Sequence, residues 1–201
     1  MSTETLEDLP IFPLKTVLFP GGMLPLRVFE TRYVDMTREC MKDARPFGVC
    51  LIREGAEVGL PAVPEDVGTL ATIVDFDTTD AGVLALKVRG GRRFRIVART
   101  VSRQALVRAR VEVLDDEADA PVPPEFASCA RIVQLVIADQ AAGTFAEPYD
   151  LESASWVGYR LSEILPVPLK AKQKLLELEG AISRLEVLQR FLEQRGLASG
   201  R

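Results

Sequence analysis

Apolar and polar positions change rhythm twice along this chain. Residues 9–33, LPIFPLKTVLFPGGMLPLRVFETRY, are dense in apolar side chains and broken by prolines. Short extended pieces are expected at Ile11–Leu18 and Met23–Val28, because proline donates no backbone hydrogen bond and suits strand ends and edges. Gly21-Gly22 suits a tight turn between them. From Glu30 to about Lys42 the period becomes helical, with Tyr33, Met36 and Cys40 on one face. Phe47–Ile52 reads as a buried strand, and 53–68 as a loop punctuated by Gly and Pro. Residues 68–76 and 83–89 read as strands flanking a DTTDAG hairpin turn, and Gly90-Gly91 as the next tight turn. Residues 92–100 and 106–114 alternate strictly. They set Phe94, Ile96 and Ala98 against Arg93, Arg95, Val97 and Arg99, then Val107, Ala109, Val111 and Val113 against Arg108, Arg110 and Glu112.

The second change follows DDEADAPVPP (115–124), an acidic, proline-rich stretch suited to a linker. Four helices are expected beyond it. The first starts at Pro124 and ends near Gly143, with apolar positions on so many sides that it should be central to a bundle. The second covers 151–165, capped by Asp150 or Ser153 and broken by Pro166 and Pro168. The third covers 169–179 and the fourth 181–195, stopped at Gly196. The fold class is therefore α+β: a small barrel or folded sheet over 1–116 with one short helix, then a helical region over 117–201.

Composition narrows the function. The 201 residues are 47% hydrophobic and 27% charged, as in ordinary globular proteins. The net charge is −4, which argues against generic nucleic-acid or anionic-membrane partners. There is no histidine, which removes Ser-His-Asp and Cys-His catalysis and His-ligated zinc. Cys40, Cys50 and Cys129 are far apart and odd in number, so a disulfide framework is not expected; buried thiols in a reducing compartment are. No apolar run approaches the roughly 20 residues of a membrane helix, and MSTETLEDLP is no signal peptide, so a cytoplasmic location is expected.

In order and spacing, these pieces resemble the N-terminal domain of the Lon protease family. The opening LPIFPLKTVLFPGGMLPLRVFETRY is similar to that family's Leu-Pro strand, Phe-Pro-Gly turn, Pro-Leu strand and short helix. GTLATIVDFDTTDAGVLALKVRGGRRFRIV is similar to its second signature. The tail SWVGYRLSEILPVPLKAKQKLLELEGAISRLEVLQRFL resembles its closing helices. The resemblance implies a PUA-like pseudo-barrel followed by a helical bundle that recognises polypeptides. No glycine is followed by lysine, so no GxxxxGK[ST] phosphate loop exists. The expectation is a stand-alone, ATP-independent recognition module without the ATPase or the Ser-Lys protease, with no catalytic residue, metal or cofactor.

Two surfaces are candidates. The first is an apolar groove for extended polypeptide built on Phe19, Pro20, Met23, Leu24 and Leu26, with proline on an edge leaving backbone acceptors free. The ordinary reading of the same residues is barrel core. The second is the basic run from Lys87 to Arg110, in which Arg93, Arg95 and Arg99 share one strand face and Arg108 and Arg110 another. It could take acidic peptide or RNA, although no aromatic on that face could stack bases. Its ordinary reading is a solvated face neutralised by acidic loops. Asp75, Asp77 and Asp80 fail the calcium-loop spacing, and the lone Trp156 reads as a core anchor.

Overall fold

The computed structural model describes residues 4–78, 83–115, 118–139 and 145–197. The chain divides into two compact units, residues 1–115 and 116–201.

The first unit is a closed barrel. Its strands are β1 (Thr5–Leu14), β2 (Met23–Val28), β3 (Phe47–Glu54), β4 (Val63–Pro64), β5 (Val67–Thr78), β6 (Leu84–Val101) and β7 (Val107–Val113), with helix α1 (Thr31–Lys42) after β2. The ring runs β1-β7-β6-β5-β3 and closes by parallel pairing of β1 with β3, while β2 adds to β6 and β4 to β3. The greasy opening segment follows from this closure. Every residue of β1 from Leu9 to Leu14 is buried, because the strand has a core on each side. Ile11 points into a cluster with Cys50, Phe94, Val107, Ala109 and Val111. Phe12 and Leu14 point into a second cluster with Tyr33, Met36 and Cys40 of α1. Strands buried on both faces read as apolar runs rather than alternations. Phe12 stacks on Tyr33 at 4.0 Å between ring centroids.

Gly90-Gly91 does not turn. Both lie inside the 18-residue β6, which runs unbroken from one ladder to the next. What the sequence presents as a turn signal is a crossing. A Cβ on Gly90 would stand 2.2 Å from the carbonyl oxygen of Phe19. Around that contact, Gly21 N–H donates to Gly90 O and Gly90 N–H to Gly22 O, both at 2.8 Å. Gly21, at φ 72°, supplies the left-handed residue the turn needs. Thr69, fully buried, donates its hydroxyl to Leu18 O at 2.6 Å and pins the same segment from β5.

Other differences are smaller. β1 begins at Thr5, ahead of the expected Ile11, because its polar first half pairs with β7 across a bulge. It ends at Leu14, so Lys15–Leu18 are not strand. The expected loop 53–68 contains the two-residue β4 and the first residues of β5. The DTTDAG turn lies largely outside the described residues, but Thr78 pairs with Leu84 across it.

The second unit has a single 3-10 turn (Pro124–Phe126) leading into α2 (Ala127–Asp139), then α3 (Ala154–Ile164), α4 (Leu169–Glu177) and α5 (Ala181–Gln194). The expected end of α2 at Gly143 lies outside the described residues. The central helix is α3 rather than α2. Residues 157–162 are all buried, whereas α2 buries only Cys129 and Val133 and leaves Leu135 58% exposed. Ser153 caps α3 by accepting from Trp156 N–H at 3.0 Å. Arg184 of α5, fully buried, lies 4.0 Å over the Tyr159 ring and donates to the carbonyls of Leu175 and Leu178 at the end of α4. It satisfies carbonyls that a helix end leaves orphaned.

Two substitutions test this account. Gly90→Ala should lower stability by about 3 kcal/mol, since the new methyl meets backbone rather than a side chain that could move. Arg184→Ala should cost about 3 kcal/mol, because one buried and one partly buried carbonyl lose their donor. Urea denaturation followed by circular dichroism reads both, and a change under 1 kcal/mol in either would contradict the packing described.

Candidate functional site

Sheet register decides which of the expected site residues face outward. In the ribbon β2–β6–β5, Leu24, Val88 and Ile73 form one cross-strand row. Leu26, Leu86 and Phe76 form the next, and Val28, Leu84 and Thr78 the third. Residues in one row point to the same face. The face is core at its centre, where Val88, Leu86, Leu26 and Val28 are buried. It runs out of cover at its margins. Leu24, Ile73 and Leu84 are only partly buried, and Phe76 is 56% exposed. Phe29, just after β2, is 59% exposed. At this margin an apolar core face continues into solvent.

The groove residues read from sequence divide accordingly. Phe19 is fully buried and Leu26 nearly so, both held in the core by the β6 crossing, so neither lines an open groove. Pro20, Met23 and Leu24 are half-buried and remain at the margin. Ile73 and Phe76 join this margin without being conspicuous in the sequence. Their signal was the alternation in TLATIVDF, which a bulge between Ile73 and Asp75 obscures.

The arginines divide as well. A bulge in β6 between Ile96 and Ala98 switches the alternation. Arg95 stands opposite Glu112, Ala98 opposite Arg110 and Thr100 opposite Arg108, so Arg95, Arg108 and Arg110 share the outer face. Arg99 instead stands opposite the buried Ala109, on the other face, and reaches Pro64 O at 3.4 Å. Arg93 is 6% exposed, beside Thr69, and is no surface residue. Arg108 is neutralised by Asp8 at 2.8 Å and Glu39 at 2.7 Å. Arg92 pairs with Glu4. The five arginines therefore do not form one positive surface; Arg95 and Arg110 stay exposed on it.

The Arg108 pair has a measurable signature. The hydrogen bond from Arg108 holds the Glu39 carboxyl below the ordinary carboxylate range, against the opposing effect of burial. A carboxyl lowered on folding stabilises the fold above its unfolded pKa, and that gain is lost as pH falls through the folded value.

Catalytic equipment is not gathered anywhere among the described residues. All three cysteines are buried, and burial pushes Cys40 up to about 11, Cys129 up to about 12 and Cys50 higher still. Thiols so raised are not nucleophiles at neutral pH. Burial pushes Glu163 up to about 7, but Arg160 at 3.0 Å and Lys172 pull it back, and this is a pair that ties a helix rather than two acids across a cleft. Trp156 is half-buried rather than a core anchor; it packs edge-on to Phe145 at 6.2 Å and near Tyr149. That unit also holds an apolar cavity of about 350 Å³ lined by Leu165, Leu175, Leu178, Val187 and Phe191. No group of three or more potential metal ligands occurs among the described residues.

A family model for the substrate-binding domain of the ATP-dependent protease La (LON) matches residues 8–194. The chain belongs to the LON substrate-binding domain family. The crystal structure of a Lon N-terminal domain protein from Xanthomonas campestris superposes with a TM-score of 0.78 at 37% identity, covering 92% of this chain and 98% of that one. The N-terminal domain of a Mycobacterium avium complex Lon protease shares the fold, with a TM-score of 0.59 at 18% identity over 94% of this chain and 98% of that one. The Lon protease of Anaeromyxobacter dehalogenans is 27% identical over 195 residues, which are 93% of this chain and 23% of that protease. The LON family match thus reaches the substrate-binding domain and no catalytic one, and the chain spans about a quarter of the Lon proteases it matches. Zebrafish cereblon (Danio rerio) is 26% identical over 117 residues, 56% of this chain and 27% of cereblon. No helix among the described residues is long and apolar enough to cross a membrane.

Two measurements check the site chemistry. The stability gap between wild type and Arg108→Met should be full at pH 6 and close as pH falls below about 4, followed by urea denaturation at each pH. A gap independent of pH would remove the Glu39 account. A thiol reagent at pH 7.5 should label none of the three cysteines in the folded protein and all three in urea; rapid labelling of the folded protein would show an activated thiol.

Proposed function

We propose that this chain is a non-catalytic polypeptide-binding module, serving substrate recognition or an adaptor role in the cytoplasm without ATP. The observation that carries the reading is the apolar margin of the β2–β6–β5 ribbon, where Ile73, Leu24 and Phe76 continue a core face into solvent. Membership of a substrate-binding family supports it. So does the chemistry of the described residues, which offers a surface and no converging acid, base and nucleophile. The RNA reading loses its footing where Arg108 is consumed by Asp8 and Glu39 and Arg93 is buried.

Titration into a labelled unfolded polypeptide at low and high salt tests this. Binding should survive high salt, since apolar burial is not screened. Ile73→Asp with Phe76→Asp should weaken it about tenfold or more, because each removes roughly 1.5–3 kcal/mol of apolar burial if fully covered. Absence of binding, or binding to single-stranded RNA that collapses with salt, would overturn the reading.

A further inference from the structure

We propose that the polypeptide is held by strand addition to the free edge of β2, and that the preferred segment alternates apolar with acidic residues. This rests on the polypeptide-binding reading and specifies its mode.

The edge is defined by hydrogen-bond parity. Gly90 directs both its N–H and its C=O at the Gly21-Gly22 turn, on the β2 side of β6. Backbone groups alternate sides along a strand, so Leu84, Leu86 and Val88 also face β2, and their partners Val28, Leu26 and Leu24 face back. Met23, Pro25 and Arg27 therefore point their backbone groups away from β6. Among the described residues, β2 pairs with β6 alone. The outer edge offers carbonyls at Met23, Pro25 and Arg27 and N–H groups at Met23 and Arg27. Pro25 sits where its missing donor breaks no existing ladder.

The ribbon has a second free edge, on β5 beyond Ala71, where pairing with β3 stops. That edge is blunted by the bulge between Ile73 and Asp75 and by the exposed Asp75 and Asp77, devices that discourage pairing. The β2 edge carries one charge, Arg27, and lacks a donor at Pro25, but it is straight, with six consecutive pairs and no register shift, so its three carbonyls and two N–H groups stay in register for a partner strand.

Charge fixes the occupant. On the outer face, exposed Arg27 of β2 lies on the same side as exposed Lys87 and Arg89 of β6, whereas Asp75 and Asp77 lie one strand further away, on β5. Side chains of an added strand on that face meet Arg27 first, which selects acid. Those on the opposite face lie beside the half-buried Leu24, which selects apolar residues.

The probe is a labelled octapeptide alternating Val or Leu with Glu or Ser, titrated into the full chain by fluorescence anisotropy. Two variants carry N-methyl groups, one on every polar position and one on every apolar position. Strand addition predicts that one variant binds about tenfold weaker or worse and the other within about twofold, since only alternate N–H groups face β2. Loss with the polar set reports antiparallel addition, and loss with the apolar set reports parallel addition. A peptide with Lys in place of Glu should bind several-fold weaker, and Arg27→Glu should reverse that order. Equal sensitivity of the two methylated variants would overturn strand addition while leaving polypeptide binding standing. Failure of every peptide together with unfolded polypeptide would overturn both. A protein that sediments as a dimer, broken by Arg27→Glu, would mean that a second copy occupies the edge, and would overturn the proposed occupant.

Discussion

The crossing of β6 over the Phe19–Gly22 turn constrains the rest of the first unit. Where Gly90 lies against the Phe19 carbonyl there is no room for a side chain, and the two backbones exchange hydrogen bonds in its place. Because β6 passes through this point without turning, one strand serves two ladders. Its first half builds the ribbon with β2 and β5, and its second half closes the barrel with β7. The crossing buries Phe19 and Leu18 and fixes the register of β2. It thereby sets which side of β2 is core and which edge is open. Packing and candidate function are set by the same contact.

Much of this was legible in the residues. The strands, the helix α1 and the four later helices follow from period-2 and period-3.6 patterning, and the family resemblance from the order of the proline and glycine marks. Residue type and position offer Asp150 or Ser153 as the cap of α3, and Ser153 is the one that accepts from the helix. What was not legible depended on distant partners. A Gly-Gly pair between apolar runs has the same local appearance whether it turns or is crossed by another strand; only Phe19, seventy residues away, decides. A bulge leaves no mark on composition, so strict alternation puts the arginines of β6 on one face, which the bulge at Val97 divides. The breadth of apolar positions on α2 suggested a central helix. The centre went to α3 because Gly158 lets Arg184 approach, with its Cδ 3.3 Å from where a Cβ would stand.

The buried arginines show how the second unit gains its order. Arg184 joins α3, α4 and α5 through a ring face and two carbonyls, and Arg160 pairs with Glu163 beside the Phe145 and Trp156 rings. Such groups are costly to bury unless their donors are met, and in exchange they admit few alternative packings. The helices are short, so propensity alone would hold them weakly. Here geometry set by charged groups substitutes for length.

The closure of the barrel also sets a schedule for the chain as it is made. β1, at Thr5–Leu14, finds its ladder only with β3 and with β7, and β7 ends at Val113. At about 5–20 residues per second, roughly 5–20 seconds separate the emergence of the first strand from that of its last partner. Until β3 is complete at Glu54, LPIFPL is an apolar strand without a sheet, and its second ladder waits for β7. Its two prolines leave that waiting edge short of two donors, which makes it a poorer template for strands of other chains.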